Sequence, residues 1–181
     1  MRKLEKYVQT HLQTELDIIR TSERANVLPE LSLEEKAIIY RYTDTGHFVN
    51  EILREKKGEK VPKFAKHLKS VLAKLPSYNF LVYRGEPISN LKIYQNALES
   101  KQVITAFAFS SCSVRREPAL QFGQILLRII SKNGKLIEKV SKFGKNLPFN
   151  EQEVLFTMVS KFIVLDIKEE NNLPIITLEE L

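Results

Sequence analysis

Apolar residues recur at Leu4, Val8, Leu12, Leu16 and Ile19. That three-and-four spacing lines one face of a helix, so an amphipathic helix is predicted from about Leu4 to Arg20. Leu28-Pro29 breaks the pattern. Ser32 then stands three residues before Glu35 and ahead of Ala37, Ile38 and Ile39, a capping-box arrangement that opens a second helix. Tyr42-Thr43-Asp44-Thr45-Gly46 reads as a turn, and His47 to Glu55 as a third helix with Phe48, Ile52 and Leu53 inward. Gly58 and Pro62 separate a fourth helix, whose inner stripe is Phe64, Leu68, Val71, Leu72 and Leu75 and which ends before Pro76.

After Pro76 the periodicity changes. Runs rich in β-branched and aromatic residues follow at Phe80 to Arg84, Val103 to Phe109, Ile125 to Ile130, Leu136 to Val140, Glu153 to Phe156, Lys161 to Ile167 and Leu173 to Leu178, and they read as strands. Short helices are predicted near Leu91 to Ser100 and Pro118 to Gly123. Helices first and strands afterwards predict an α+β domain rather than a doubly wound sheet. We find no repeat, low-complexity tract or linker, so residues 1–181 are expected to form one domain. Its helical lobe would span about 1–76 and its strand-rich core about 77–181.

With 43% hydrophobic and 28% charged residues, the chain can bury a core of its own. Its apolar runs fall short of the ~18–20 residues a membrane span needs, and Met1 to Lys6 leads into a charged amphipathic pattern rather than a signal peptide. The expectation is a soluble chain with no membrane span and no Sec-type address. The single cysteine, Cys112, excludes an internal disulfide. The net charge is +6 and is densest from Arg54 to Lys74, where only Glu55 and Glu59 oppose the lysines and arginines. Those cations sit on the outer face of the fourth helix and lack the interleaved aromatics of a single-strand binder, so nucleic acid is not the expected partner. His11, His47 and His67 are scattered and give no metal-ligand spacing. No glycine-rich dinucleotide or phosphate loop is present.

Three features carry candidate chemistry. In Phe149 to Phe156, Glu151 and Glu153 stand one residue apart before the apolar Val154, Leu155 and Phe156. On a strand, the two carboxylates would share a face roughly 7 Å apart at the rim of a core. By itself such a pair is more often a solvated face than an acid/base site. Arg84 closes an apolar strand in Tyr83-Arg84-Gly85-Glu86, where a guanidinium fork suits a phosphate and a glycine lets a ligand approach the backbone. A strand-end arginine paired with a nearby acid is the equally good alternative. Phe107 to Ser113 is an apolar strand ending in hydroxyls, which could orient a carboxylate or simply finish the strand.

In this order, Arg84, Phe109-Ser110-Ser111-Cys112-Ser113 and Glu151-Gln152-Glu153-Val154-Leu155-Phe156 resemble the mono-ADP-ribosyltransferases of the arginine, serine, glutamate class. That class includes clostridial binary-toxin enzyme components, bacterial effectors and phage enzymes. Tyr42-Thr43 and Asn50-Glu51-Ile52-Leu53-Arg54 look like the family's Tyr-Thr and Asn-x-x-Leu-Arg helix, and Ala119, Phe122, Phe162 and Val164 also match its pattern. The resemblance covers roughly residues 30–167. It implies a fold in which the helical lobe packs on a core of two mainly antiparallel β-sheets.

The resemblance also implies roles. NAD would be the co-substrate, with no metal required. Arg84 would hold its phosphates, aided by Arg54 and Asn50, and Gly85 would offer backbone to the nicotinamide amide. Ser111 would hydrogen-bond Glu153. Glu153 would bond a hydroxyl of the nicotinamide ribose and stabilise the positive charge that develops as nicotinamide leaves. Glu151 would orient an acceptor guanidinium and take its proton, which makes arginine of a target protein the expected acceptor. Phe149 would touch that protein, with Phe143 as the other option, while Arg115 or Arg116 would either reach the NAD phosphates or lie on the surface. Cys112 departs from the family's Ser-Thr-Ser and removes one hydroxyl. The enzyme would act as a toxin or effector in the cytosol of a target cell, with a cognate immunity or delivery protein as a further partner. The competing readings are an NAD glycohydrolase, a nucleic-acid ADP-ribosyltransferase, and an inactive module docking on an acidic partner through Lys56 to Lys74.

Overall fold

A computed structural model describes residues 3–144, 150 and 152–181. The predicted first helix is two, α1 (Lys3–His11) and α2 (Gln13–Arg20), because Leu12 between them takes a non-helical conformation (φ −135°, ψ 33°). The predicted stripe is unbroken by this, since Val8, Leu12, Leu16 and Ile19 are all buried.

Helix α3 (Leu33–Glu55) opens on the predicted capping box. The Ser32 hydroxyl accepts from the Glu35 amide at 3.3 Å, and the Glu35 carboxylate accepts from the Ser32 amide at 3.0 Å. Such a cap stabilises a helix start by roughly 0.5–2 kcal/mol. The expected turn at Tyr42 to Gly46 is instead a kink inside this one helix, centred on Thr45 (φ −134°, ψ 21°). Its cause is local. The Thr45 hydroxyl donates to the Arg41 carbonyl at 3.2 Å, a side-chain bond that competes with the helical ladder and bends it. Gly46 then leaves room for the Tyr42 ring, which a Cβ there would meet at 2.6 Å. The resulting helical phase buries Val49 and Leu53 and turns Phe48 and Ile52 out to solvent, the reverse of what was expected for those two. Helix α4 (Lys63–Leu72) buries Ala65, Leu68, Val71 and Leu72 and keeps its lysines outside, as its pattern predicts. Lys74 just beyond it pairs with Glu35 at 2.6 Å, tying the end of α4 to the start of α3.

The strand half runs β1 (Leu81–Glu86), α5 (Leu91–Ser100), β2 (Ile104–Ala106), β3 (Ser110–Ser113), α6 (Arg116–Ala119), a 3₁₀ turn at Leu120–Phe122, and β4 (Ile125–Ile130). It continues with β5 (Lys135–Leu136), β6 (Glu153–Phe156), β7 (Ser160–Glu170) and β8 (Leu173–Glu180). The long apolar run at Val103 to Phe109 thus yields only a short strand, and the serines after it form a strand of their own. Leu136 to Val140 contributes to a strand only at its first residue.

Hydrogen bonding joins the strands in the order β2-β7-β8-β4-β1-β3-β6-β5, antiparallel except for β4 with β8. The two expected sheets are therefore one sheet with a narrow waist. Strand β1 pairs with β4 along all of its length but with β3 only at Tyr83↔Ser113. Two apolar cores form around the sheet, and β6 contributes to both, Leu155 to one and Val154 and Phe156 to the other. The helical lobe packs on the three-strand half through Leu16, Ile38, Leu53, Leu68, Phe109 and Leu155. Helix α5 covers the other half, with Tyr94 among Val82, Ile125, Leu127, Ile176 and Phe162.

Candidate active site

The waist between β1 and β3 opens a cavity of about 610 Å³, within the range of small-molecule sites. Its lining includes Thr43 and Arg54 of α3, Tyr83 to Glu86 of β1, Ser111 to Ser113 of β3, Phe122, Phe143 and Glu153. Four elements distant in sequence thus converge on one space.

Strand β1 carries Arg84 and Glu86 on one face, as period-two alternation requires. Arg84 Nε donates to Glu86 Oε1 at 3.0 Å, and Arg84 Nη1 donates to the Ser111 main-chain oxygen at 2.7 Å. Glu86 Oε2 accepts in turn from Asn90 Nδ2 at 2.9 Å and Tyr94 Oη at 2.8 Å. Burial works against the charge on Arg84, but the Glu86 carboxylate beside it, by charge and hydrogen bond, helps hold the guanidinium above its ordinary value. Burial likewise opposes ionisation of Glu86, yet Arg84 and the Asn90 and Tyr94 hydrogen bonds keep that carboxyl below its ordinary value. Arg84 and Glu86 form a charged pair at neutral pH. Two of the five guanidinium N–H groups are engaged, so the fork can meet an anion through Nη2 and the second hydrogen of Nη1. Both alternatives for Arg84, acid partner and cavity-facing cation, hold at once.

Gly85 has a further reason to be glycine. A Cβ there would run into the Ala119 carbonyl oxygen, and one at Gly123 would run into the Glu86 backbone. The two glycines let the 3₁₀ turn lie against β1 and bring Phe122, 62% exposed, to the edge of the cavity.

Glu153 begins β6, opposite Ser113 of β3, with the fully buried Val154, Leu155 and Phe156 behind it. This holds its carboxylate at the rim of the core with 6% of the residue exposed. Glu153 Oε2 accepts from Ser141 Oγ at 3.0 Å. The expected Ser111 to Glu153 bond is replaced by this one. Ser111 instead gives its main-chain oxygen to Arg84, and its hydroxyl faces Tyr42. Burial pushes the Tyr42 hydroxyl up to about 12, with hydrogen bonds to Ser111 and Asn50 acting the other way.

Strand β6 does not extend back past Glu153. Gln152 takes a left-handed conformation (φ 45°). Glu151 and Phe149 themselves lie outside the described residues. Asn50, expected at NAD, does not line the cavity. It is buried, donating through Nδ2 to Tyr42 Oη at 3.0 Å and accepting at Oδ1 from the Phe109 amide at 3.1 Å. The bond to Phe109 ties α3 to the chain just before β3. Arg115 and Arg116 are surface residues paired with Glu117 and Glu170 at 3.5 and 2.8 Å. Phe143 reaches the cavity and is exposed. Cys112 of β3 is buried in the second apolar core, beside Val82, Val154 and Phe156, and burial pushes its thiol up to about 12, so it is neutral at pH 7. No described helix is long and apolar enough to cross a membrane.

Pairing of Arg84 with Glu86 was legible from their spacing on a strand. The part of Ser141 was not, because it sits in an irregular segment with no periodicity to place it.

The comparisons agree with this geometry. HopU1, an ADP-ribosyltransferase of Pseudomonas syringae pv. Tomato DC3000, superposes with a TM-score of 0.79 at 20% identity, over 94% of this chain and 87% of that one. Exoenzyme S of Pseudomonas aeruginosa, solved with human 14-3-3 protein beta and carba-NAD, gives 0.76 at 17% identity over 98% and 86%. The Vis ADP-ribosyltransferase toxin of Vibrio splendidus, solved with agmatine, gives 0.64 at 23% identity over 100% and 87%. No curated protein matches the chain by sequence. Residues 19–180, which include the waist, Arg84, Ser111 and Glu153, match the ADP-ribosyltransferase exoenzyme family, and the chain belongs to it.

Proposed function

We propose that this protein transfers ADP-ribose from NAD to an arginine side chain of a target protein and releases nicotinamide. The observation that carries the reading is the meeting of Arg84 and the buried Glu153 in one cavity, a cation for the diphosphate and an acid for the ribose. The cavity fits NAD in charge as well as size. Arg54 and Arg84 supply the positive end, and Phe122 and Phe143 supply aromatic surface for the rings. Exoenzyme S, of the same fold, was solved with carba-NAD, which supports NAD as the co-substrate.

Glu153 accepts a hydrogen bond from the nicotinamide ribose. As the C1′–N bond breaks and its electron pair leaves with nicotinamide, the carboxylate stabilises the positive charge growing at C1′. A guanidinium nitrogen then bonds to C1′ and loses a proton. Its side-chain pKa exceeds ~12, so the step needs a base, and Glu151 is assigned that part from its place two residues before Glu153. Vis, solved with agmatine, shares the fold and was captured with a guanidine, which supports this acceptor class. Phe149 or Phe143 would contact the target protein. We place the reaction in the cytosol of a target cell, with the protein acting as a toxin or effector.

The test is incubation of the purified protein with labelled NAD and either agmatine or cell extract, with mass-spectrometric location of the modified atom. Label on a guanidine nitrogen is expected. Label on another side chain or on nucleic acid, or nicotinamide release with no label at all, overturns the arginine assignment.

A further inference from the structure

We infer that Ser141 is a positioning residue for Glu153, and that the helical lobe sets its place through Arg24. This rests on the reading of Glu153 as the group that meets the ribose. The sequence resemblance assigned that task to Ser111, whose hydroxyl instead faces Tyr42.

The argument begins at the hydroxyl. A serine hydroxyl has one proton to give. Ser141 Oγ accepts from the Phe143 amide at 3.2 Å, and it lies 3.0 Å from Glu153 Oε2. A carboxylate can only accept, so the one proton of Ser141 points to Glu153. The direction of this bond is fixed from both sides, and it is a bond to a charged acceptor, the stronger kind.

The main chain of Ser141 is held from elsewhere. Arg24, in the 3₁₀ turn Glu23–Asn26 of the helical lobe, donates to the Ser141 carbonyl through Nη2 at 3.1 Å and Nε at 3.4 Å. Its guanidinium also lies over the Tyr40 ring at 5.3 Å, which limits its own movement. The next residue is clamped too. The Lys142 amide donates to Thr43 Oγ1 at 2.9 Å, and Lys142 Nζ bonds Asp44 Oδ1 at 2.6 Å. Ser141 is itself buried. Arg24, Ser141 and Glu153 thus form a chain of three residues from the helical lobe to the carboxylate. Its elements are 117 and 12 positions apart in sequence. A carboxylate held this way is oriented before substrate arrives, which is what electrostatic stabilisation of a developing charge requires.

Removing the hydroxyl leaves the carboxylate of Glu153 in place but takes away one of the bonds that orient it. The expected signature is a loss in kcat with the KM for NAD little changed, since the bond serves the developing charge rather than the phosphates. Nicotinamide release by the full chain tests this in Ser141→Ala, Ser141→Thr, Arg24→Gln and Glu153→Gln, with thermal melts to confirm folding. Ser141→Ala should lose roughly 10- to 100-fold in kcat, the scale of one hydrogen bond to a charged group. Ser141→Thr keeps the hydroxyl and should restore most of it. Arg24→Gln should fall between them, again in kcat, and it decides the matter if Ser141→Ala does not fold. Wild-type kcat in Ser141→Ala, or a loss confined to KM, overturns the inference while leaving the proposed function standing, provided Glu153→Gln is inactive. An active Glu153→Gln overturns the function itself and this inference with it.

Discussion

Arg84 and Ser111 are joined by a 2.7 Å hydrogen bond from the guanidinium Nη1 to the main-chain oxygen. The bond crosses the waist of the sheet, where β1 and β3 share a single register pair. A side chain there does part of what a strand ladder does elsewhere. It also fixes the guanidinium at the cavity wall, with Glu86 holding its other edge at 3.0 Å. The cation that should bind NAD is also a structural tie between the halves of the sheet.

Arg84→Lys separates these tasks. Lysine keeps the charge but has no fork to reach Ser111, Glu86 and a phosphate together. NAD affinity is expected to fall by about 10-fold or more, one hydrogen bond to a charged group being worth about 1.5–3 kcal/mol. Calorimetric titration of NAD measures it, and an unchanged Kd would leave Arg84 with the structural task alone.

The two glutamates are expected to fail differently. Glu153→Gln keeps shape and loses charge, so both transfer and NAD hydrolysis should drop by about 100-fold or more, on the scale of ~3–4 kcal/mol for one preorganised group. Glu151→Gln should still release nicotinamide slowly but stop labelling agmatine, because water needs no base placed for a guanidinium. Parallel assays of nicotinamide release and agmatine labelling check both. Equal loss of the two activities in Glu151→Gln would give that residue a part in NAD binding instead.

Acid should weaken the fold through Glu86. Burial pushes its folded pKa up, but Arg84 and the Asn90 and Tyr94 hydrogen bonds together bring it below the ordinary value. Its contribution is therefore complete above the unfolded value of about 4.3 and lost as pH falls through the lower folded value. Glu86→Gln should be less stable than wild type by about 1–3 kcal/mol at pH 7. That gap should narrow as pH drops below about 4. Urea unfolding across pH reads it out, and a gap that is constant with pH would show that the Arg84–Glu86 pair adds no stability.

Cys112 should be silent. It is the only cysteine in the chain, 4% exposed, and burial raises its thiol to about 12. A thiol reagent at pH 8 should label the native protein slowly and the urea-unfolded protein at once. Rapid native labelling that also abolishes activity would bring Cys112 to the surface of the site.

What could be read from the chain was local. The capping box at Ser32 and Glu35, the buried faces of α2 and α4, and the strands at Ile125–Ile130 and Glu153–Phe156 follow from residue spacing, because neighbours within a turn or along a strand interact whatever the rest of the chain does. The kink at Thr45 defeated that reading. A threonine and a glycine in one stretch signal a turn by composition, yet the hydroxyl of Thr45 bonds back to Arg41 and bends the helix without ending it.

By itself the sequence determined the order of helices and strands, the burial of Val154, Leu155 and Phe156 behind Glu153, and which residue types could bind a diphosphate and meet a developing positive charge. Only the tertiary structure decided which of those residues meet. It gave Asn50 to Tyr42 and Phe109 rather than to the cavity, Ser111 to Arg84 and Tyr42, and Ser141 to Glu153. A hydrogen bond is won by whichever partner the packed chain brings within about 3 Å at a good angle. Periodicity assigns a residue to a face, but the distance across that face is set by the packing of both cores and the single strand pair at the waist.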